Sequence, residues 1–304
     1  MKVKFVPSLF MLLILAIWVF NPSGQAQETQ NNSQNKDFRG PYLGQKPPGM
    51  TPEIFAPRII SEAGYQLHSF PAISPDGCEI YWAVIPPKIM FMKQIAGVWT
   101  KPEVAPFTEK NIQAPVFPPD GNRLYFQITR ETGFGSLDIW YVERTDNGWS
   151  DPKNLGTPPN SEKMEAQPSF TSDGTMYFTG SLEGVLWDRG IYRSRLRSID
   201  GKYSIPELLN KPINTEFIDA YPFIAPDESF LLFSSSRPDR QEEDLKLFIS
   251  FRDEMGNWSE PINLSAKLGV QSSIRFGCLS PDGKYLFYMS CEKIYWVDAK
   301  IIQK

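Results

Sequence analysis

Histidine is the scarcest functional residue in this chain: among 304 residues there is one, His68. A metal site built on imidazole nitrogens therefore lacks its usual ligands, so no metal and no cofactor is expected. Cysteine is nearly as scarce, with Cys78, Cys278 and Cys291, and neither a Cys-x-x-Cys pair nor Cys–His spacing occurs. Cys278 falls opposite roughly Phe287 if a turn spans Pro281 to Lys284, too far from Cys291 for a disulfide, so all three read as packing residues. Basic residues are in slight deficit, giving a net charge of −4, which argues against a nucleic-acid partner, since that requires a positive stripe. No phosphate loop, dinucleotide fingerprint or serine–histidine–acid motif stands out. Only one long apolar run exists, Phe5 to Phe20, and no amphipathic helical period of useful length follows it.

That run sits behind Lys2 and Lys4 and ahead of Gly24 and Ala26, the layout of a signal peptide over residues 1–26. It is short for a membrane span, which takes about 20 residues. The expected product is periplasmic or secreted, with no stable span after cleavage and no cysteine near the cut to take a lipid. Residues 27–50 are polar and read as a flexible leader, in which Gly40 to Gly44 is a candidate docking segment. Residues 51–304 form one domain.

Aromatics are plentiful, at 13% of the chain, and 27 prolines accompany them. That pairing suggests short strands joined by tight turns. One phrase recurs five times: Ser74-Pro75-Asp76-Gly77, Pro118-Pro119-Asp120-Gly121, Thr171-Ser172-Asp173-Gly174, Ala225-Pro226-Asp227-Glu228 and Ser280-Pro281-Asp282-Gly283. Proline presets such a turn, aspartate caps it, and glycine takes the positive φ. Glu228 in place of glycine predicts a different fourth turn. An aromatic strand follows each phrase: Ile80-Tyr81-Trp82, Leu124-Tyr125-Phe126, Met176-Tyr177-Phe178, Leu231-Leu232-Phe233 and Leu286-Phe287-Tyr288. A second series, Trp99, Trp149, Tyr203 and Trp258, keeps step with the first and marks a proline-bearing outer strand packed between sheets. Four strands in about 50 residues is the pattern of a propeller blade.

The fifth period stops after its third strand, Ile294 to Val297, and its missing phrase reappears at Thr51-Pro52-Glu53-Ile54. The chain therefore reads as an all-β, five-bladed propeller of four-stranded antiparallel blades, with an N-terminal strand completing the last one. The Ser-Pro-Asp-Gly phrase and its aromatic strand resemble the WD40-like repeat of TolB-type β-propellers, from Pro71 to Val297. That resemblance implies the architecture and a bacterial envelope setting. It leaves activity open, since the class holds interaction modules, peptidase-linked domains and lyases. It also implies turn roles for Asp76, Asp120, Asp173 and Asp282.

Each inner strand precedes a turn, and inner strands line the central channel of a propeller. Counting back from the turn aspartates brings His68, Gln113, Glu165, Asp219 and Arg275 to one channel mouth, with Gln167 and Tyr221 beside them. These seven are the candidate ligand-binding residues. The favoured function is a non-catalytic, monomeric module binding an envelope protein or a glycan there. The alternative is a glycosidase or lyase using Glu165 and Asp219, since glycoside chemistry needs two carboxylates across a bond. Ion pairs Arg130–Asp138 and Arg237–Asp244 are expected to fix the loops between second and third strands, with Glu242 and Glu243 as a solvated tip.

Overall fold

The computed structural model describes residues 38–303, apart from 58, 61–64, 109–110, 130, 182–188 and 238–243. The signal segment, Arg130, Glu242 and Glu243 lie outside the described residues. Five antiparallel sheets follow one another along the chain, each running from an inner to an outer strand. Blades 2 to 5 open with the inner strands Ile112–Val116, Glu165–Phe170, Asp219–Ile224 and Arg275–Leu279. In blade 1 the inner strand is broken into Gln66–Leu67 and Ala72–Ile73. The arrangement is a five-bladed β-propeller.

The aromatic triplets explain why the sheets stack. A strand alternates its side chains between two faces, and a blade has a neighbour on each face. In blade 2, Leu124 and Phe126 join the apolar cluster shared with blade 1, while Tyr125 joins the one shared with blade 3. Blade 3 repeats this with Met176 and Phe178 on one side and Tyr177 on the other. Ile80, Trp82 and Val84 face blade 5, and Tyr81 faces blade 2. Continuous apolar triplets arise because neither face meets water. Each such large side chain contributes about 1.5–3 kcal/mol on burial. Trp149 lies in the same seam as Tyr81, to whose hydroxyl its Nε1 donates at 3.0 Å.

The fourth turn keeps the shape of the others. Glu228 adopts φ 57°, the region that Gly77, Gly121, Gly174 and Gly283 occupy at 66–83°. Its N–H donates to Ala225 O at 2.8 Å, as Gly121 N–H does to Pro118 O. A non-glycine residue is strained there. Here the side chain is held at both ends, accepting from Tyr177 OH at 2.8 Å and pairing with Arg252. The expected difference is thus absent from the backbone and present in the partners.

Ring closure follows the sequence expectation. Glu53 pairs with Trp296 and Ile54 with Tyr295, and Phe55 N–H extends the ladder to Ile294 O at 2.8 Å. The preceding segment straps the same seam. Gly40 O accepts from Trp99 Nε1 at 2.8 Å and Gln94 Nε2 at 2.9 Å on blade 1. On blade 5, Tyr42 packs against Tyr285 and Trp296 and donates its hydroxyl to Asp282 Oδ1 at 2.7 Å. Cys278 stands opposite Phe287 in the ladder, and the three cysteines are free thiols.

Asp282 gives this seam a pH signature. Partial burial works to raise its carboxyl, but donors on Ser280, Tyr42 and Lys284 outweigh that and hold it at about 2. A depressed folded-state value contributes stability that is present above the unfolded value of about 3.9 and lost as pH falls towards 2. Asp282→Asn keeps an acceptor for the turn and removes the titration. Thermal unfolding followed between pH 5 and pH 2 is expected to show a shallower acid loss for this variant; an unchanged acid slope would refute the assignment.

Candidate functional site

The channel wall is shaped by a repeated slip in the inner strands. Register shifts fall between Gln113 and Val116, Ala166 and Ser169, Ala220 and Phe223, and Arg275 and Gly277. At each slip one residue takes a positive φ: Ala114 (48°), Gln167 (46°), Tyr221 (57°) and Phe276 (58°). Such bulges re-aim side chains and leave backbone groups in need of partners. Pro115, Pro168 and Pro222 come next in three of the four strands, so no N–H is left unpaired at that step. In blades 3 and 4 the bulge N–H groups themselves are met across the seam. Gln167 N–H donates to Gln127 Oε1 at 3.0 Å, and Tyr221 N–H to Thr179 Oγ1 at 2.8 Å. Blade 1 breaks its strand instead, and Ser69 Oγ accepts from Ala83 N–H at 2.9 Å.

This geometry sorts the seven candidate residues into two sets. Consecutive strand residues face opposite sides, so Glu165 and Asp219 stand out of phase with Gln113 and Arg275 in the repeat. One set meets in the channel. His68 Nε2 lies 2.9 Å from Gln113 Oε1, which also accepts from Gln127 Nε2 at 3.3 Å. An amide oxygen only accepts, so His68 Nε2 is the donor in this contact. With Gln127 holding Gln167 N–H, this polar chain runs through blades 1, 2 and 3. Tyr221 packs edge-on against Phe276 with ring centres 4.5 Å apart, and Phe276 meets Phe70 at 5.7 Å. Those three rings fill mid-channel. Tyr221 OH accepts from Arg189 NH1 at 3.0 Å, and Arg275 is half-buried.

The carboxylates belong to the other set, and both are consumed by their own loops. Glu165 is 5% exposed and accepts from Ser161 N–H at 3.0 Å and Ser161 Oγ at 2.5 Å. Burial pushes its carboxyl up, with the Ser161 bonds opposing that rise. Asp219 is fully buried and accepts from Thr215 N–H and Oγ1, both at 2.8 Å, while Arg237 pairs with it at 2.7 Å. Arg237 is thus spent on Asp219 and the carbonyls of Pro212 and Ile213, not on Asp244, which pairs with Lys246. Asp219 needed a buried counter-charge and Asp244 had a lysine two residues away.

A short phrase marks this role in the sequence. Asn160-Ser161 stands before Glu165 as Asn214-Thr215 stands before Asp219. Each asparagine clamps the third strand of the blade before it: Asn160 bonds both backbone groups of Ile139, and Asn214 both of Ile191. The hydroxyl residue then caps the carboxylate that opens the next inner strand. The phrase is a staple between blades. Gln127, Thr179 and Arg189 are the channel residues that the sequence reading passed over; they sit in second and third strands, where no turn phrase counts their positions. Among the described residues no cluster of three metal-ligating side chains occurs.

Comparison with known proteins reaches the fold by structure alone. No family model and no curated protein matches the sequence. Among solved structures, an endo-arabinase from Bacteroides thetaiotaomicron shares 18% identity over 78% of this chain and 94% of its own, with a TM-score of 0.53. An α-L-arabinofuranosidase from Lactobacillus brevis shares 16% over 77% and 85%, with a TM-score of 0.49. TolB from Acinetobacter baumannii shares 19% identity with a TM-score of 0.45; the match covers 74% of this chain and 53% of TolB, about half its length. What these proteins have in common with this chain is the propeller fold.

Proposed function

We propose that this chain is an exported, non-catalytic propeller of the TolB-type repeat class that binds an envelope protein or a glycan at the channel mouth bearing His68, Gln113 and Arg275. The observation that carries this reading is the fate of the two carboxylates. A glycosidase needs an acid and a base that reach the substrate. Glu165 and Asp219 are instead buried and engaged, Glu165 by Ser161 and Asp219 by Thr215 and Arg237. The other candidate groups are an imidazole, two amides, a phenol and a guanidinium. Such a set recognises a ligand through hydrogen bonds and stacking without supplying a nucleophile.

The mouth is tested with His68→Ala, Gln113→Ala and Arg275→Ala. Immobilised wild-type protein is challenged with a glycan array and with envelope proteins of the source cell. Each substitution is expected to weaken the retained partner about tenfold, the worth of one or two lost polar contacts, with unfolding temperature unchanged. Turnover on a broad glycan panel that disappears in Glu165→Gln would overturn the reading in favour of the enzyme.

A further inference from the structure

The channel's other end, where the five turns converge, is chemically unlike the mouth. It holds a cavity of about 250 Å³ lined from all five blades. Phe70, whose ring meets that of Phe276, forms part of its lining. Phe117, Phe170 and Phe223 add aromatic wall, and the turn prolines Pro75, Pro119, Pro226 and Pro281 form much of the rest.

Most turn hydrogen-bond donors around this cavity are spent. Proline has no N–H to offer. In each turn the fourth residue donates back to the first: Gly77 to Ser74, Gly121 to Pro118, Gly174 to Thr171, Glu228 to Ala225 and Gly283 to Ser280. The N–H that follows each turn is taken by the turn aspartate, at Cys78, Asn122, Thr175, Ser229 and Lys284. Ser172 N–H, in the blade 3 turn without proline, donates to Pro226 O at 2.7 Å. Apart from the N–H of the aspartates themselves, what the turns offer a ligand is carbonyl and carboxylate oxygen. Asp76, Asp120, Asp173, Asp227 and Asp282 are all exposed, and four of them are adjacent to a turn proline that precedes them. Hydrogen bonds from Ser74 and Ser229 hold Asp76 and Asp227 below the usual carboxylate range, so the rim stays anionic through neutral pH.

We propose that this turn-end funnel is a second binding site, distinct from the mouth, and that it takes the aromatic side chain of a basic peptide segment. The ring enters between the phenylalanines and prolines, and flanking lysine or arginine side chains meet the turn aspartates, which outnumber the cations already among them, Lys284 on Asp282 at 3.0 Å and Arg144 on Gly121 O at 3.3 Å. An acidic or neutral segment gains no counter-charge there, and an aliphatic segment fills the aromatic cavity poorly. Attraction to the rim is screened by salt, whereas the ring's contribution is not.

The probe is the acetylated, amidated tripeptide Lys-Phe-Lys, titrated into the whole protein by NMR or calorimetry. Glu-Phe-Glu and Lys-Ala-Lys serve as controls, and each is expected to bind at least about tenfold more weakly. In the charge test, Asp76→Asn, Asp120→Asn and Asp227→Asn are combined. Asparagine still caps the turn, so the fold is kept while affinity falls about tenfold and its salt dependence weakens. In the cavity test, Phe117→Ala with Phe223→Ala is expected to weaken binding by a similar factor. His68→Ala and Arg275→Ala are expected to leave the tripeptide unaffected, which separates this site from the mouth. Equal binding of Lys-Phe-Lys and Glu-Phe-Glu overturns the proposal. So does absence of saturable binding, or affinity that survives both sets of variants in folded protein.

Discussion

Asp219→Ala is expected to lower the unfolding temperature by about 10 °C, corresponding to a loss of about 3–5 kcal/mol for breaking a buried ion pair. The cost comes from what is left behind. Arg237 would keep its charge in a largely enclosed position, and Thr215 would lose the acceptor for both its N–H and its hydroxyl. Adding Arg237→Met should restore much of the loss, because a pair removed together leaves no orphan charge. Differential scanning calorimetry of the single and double variants checks both statements. The experiment also bears on function, since groups kept for activity commonly trade against stability. A single variant as stable as the wild type would mean that Asp219 is held for something other than architecture.

Phe55→Ala is expected to cost about 3–5 kcal/mol, the range for emptying a buried aromatic site. Phe55 is fully buried, 5.0 Å from Phe287 and 5.2 Å from Trp296 between ring centres, beside the two-residue strand Glu53–Ile54. Few backbone bonds hold that strand, so its anchorage rests on this side chain and on the Tyr42 strap. Hydrogen exchange should show where the damage falls. Amides of the strand Lys293–Asp298 are expected to lose protection before those of blade 3. Uniform loss across all blades would refute the view that this residue holds the closing seam.

The architecture was legible because turn chemistry is local. Pro-Asp-Gly and the aromatic triplet after it specify a hairpin without help from the rest of the chain, and the position of Cys278 opposite Phe287 followed from counting. Ring closure was legible for a related reason: a strand missing at one end reappeared at the other. Channel geometry was harder to read. Its bulges place positive φ on Ala114, Gln167, Tyr221 and Phe276, where no glycine announces them. Without the bulge, adjacent residues such as Glu165 and Ala166 cannot be assigned to a face. The carboxylates therefore read as mouth residues when the Asn-Ser and Asn-Thr phrases ahead of them make them staples. Arg237 illustrates the same limit, since its partner Asp219 comes from the inner strand of the blade, and proximity in sequence favoured Asp244.

The bulges also decide how large the unit of folding is. Four of the five inner strands hold a non-glycine residue in a conformation that costs about 1–2 kcal/mol. In blades 3 and 4, the group that makes it tolerable is lent by the blade before, Gln127 for Gln167 and Thr179 for Tyr221. A linear repeat protein can shed or gain modules because each carries its own stability plus a neighbour term. Here a module excised from its predecessor would inherit the strain without the remedy. Evolution by adding or dropping a single copy is thereby penalised, and the count of five is locked by debts between neighbours as well as by the circle they complete.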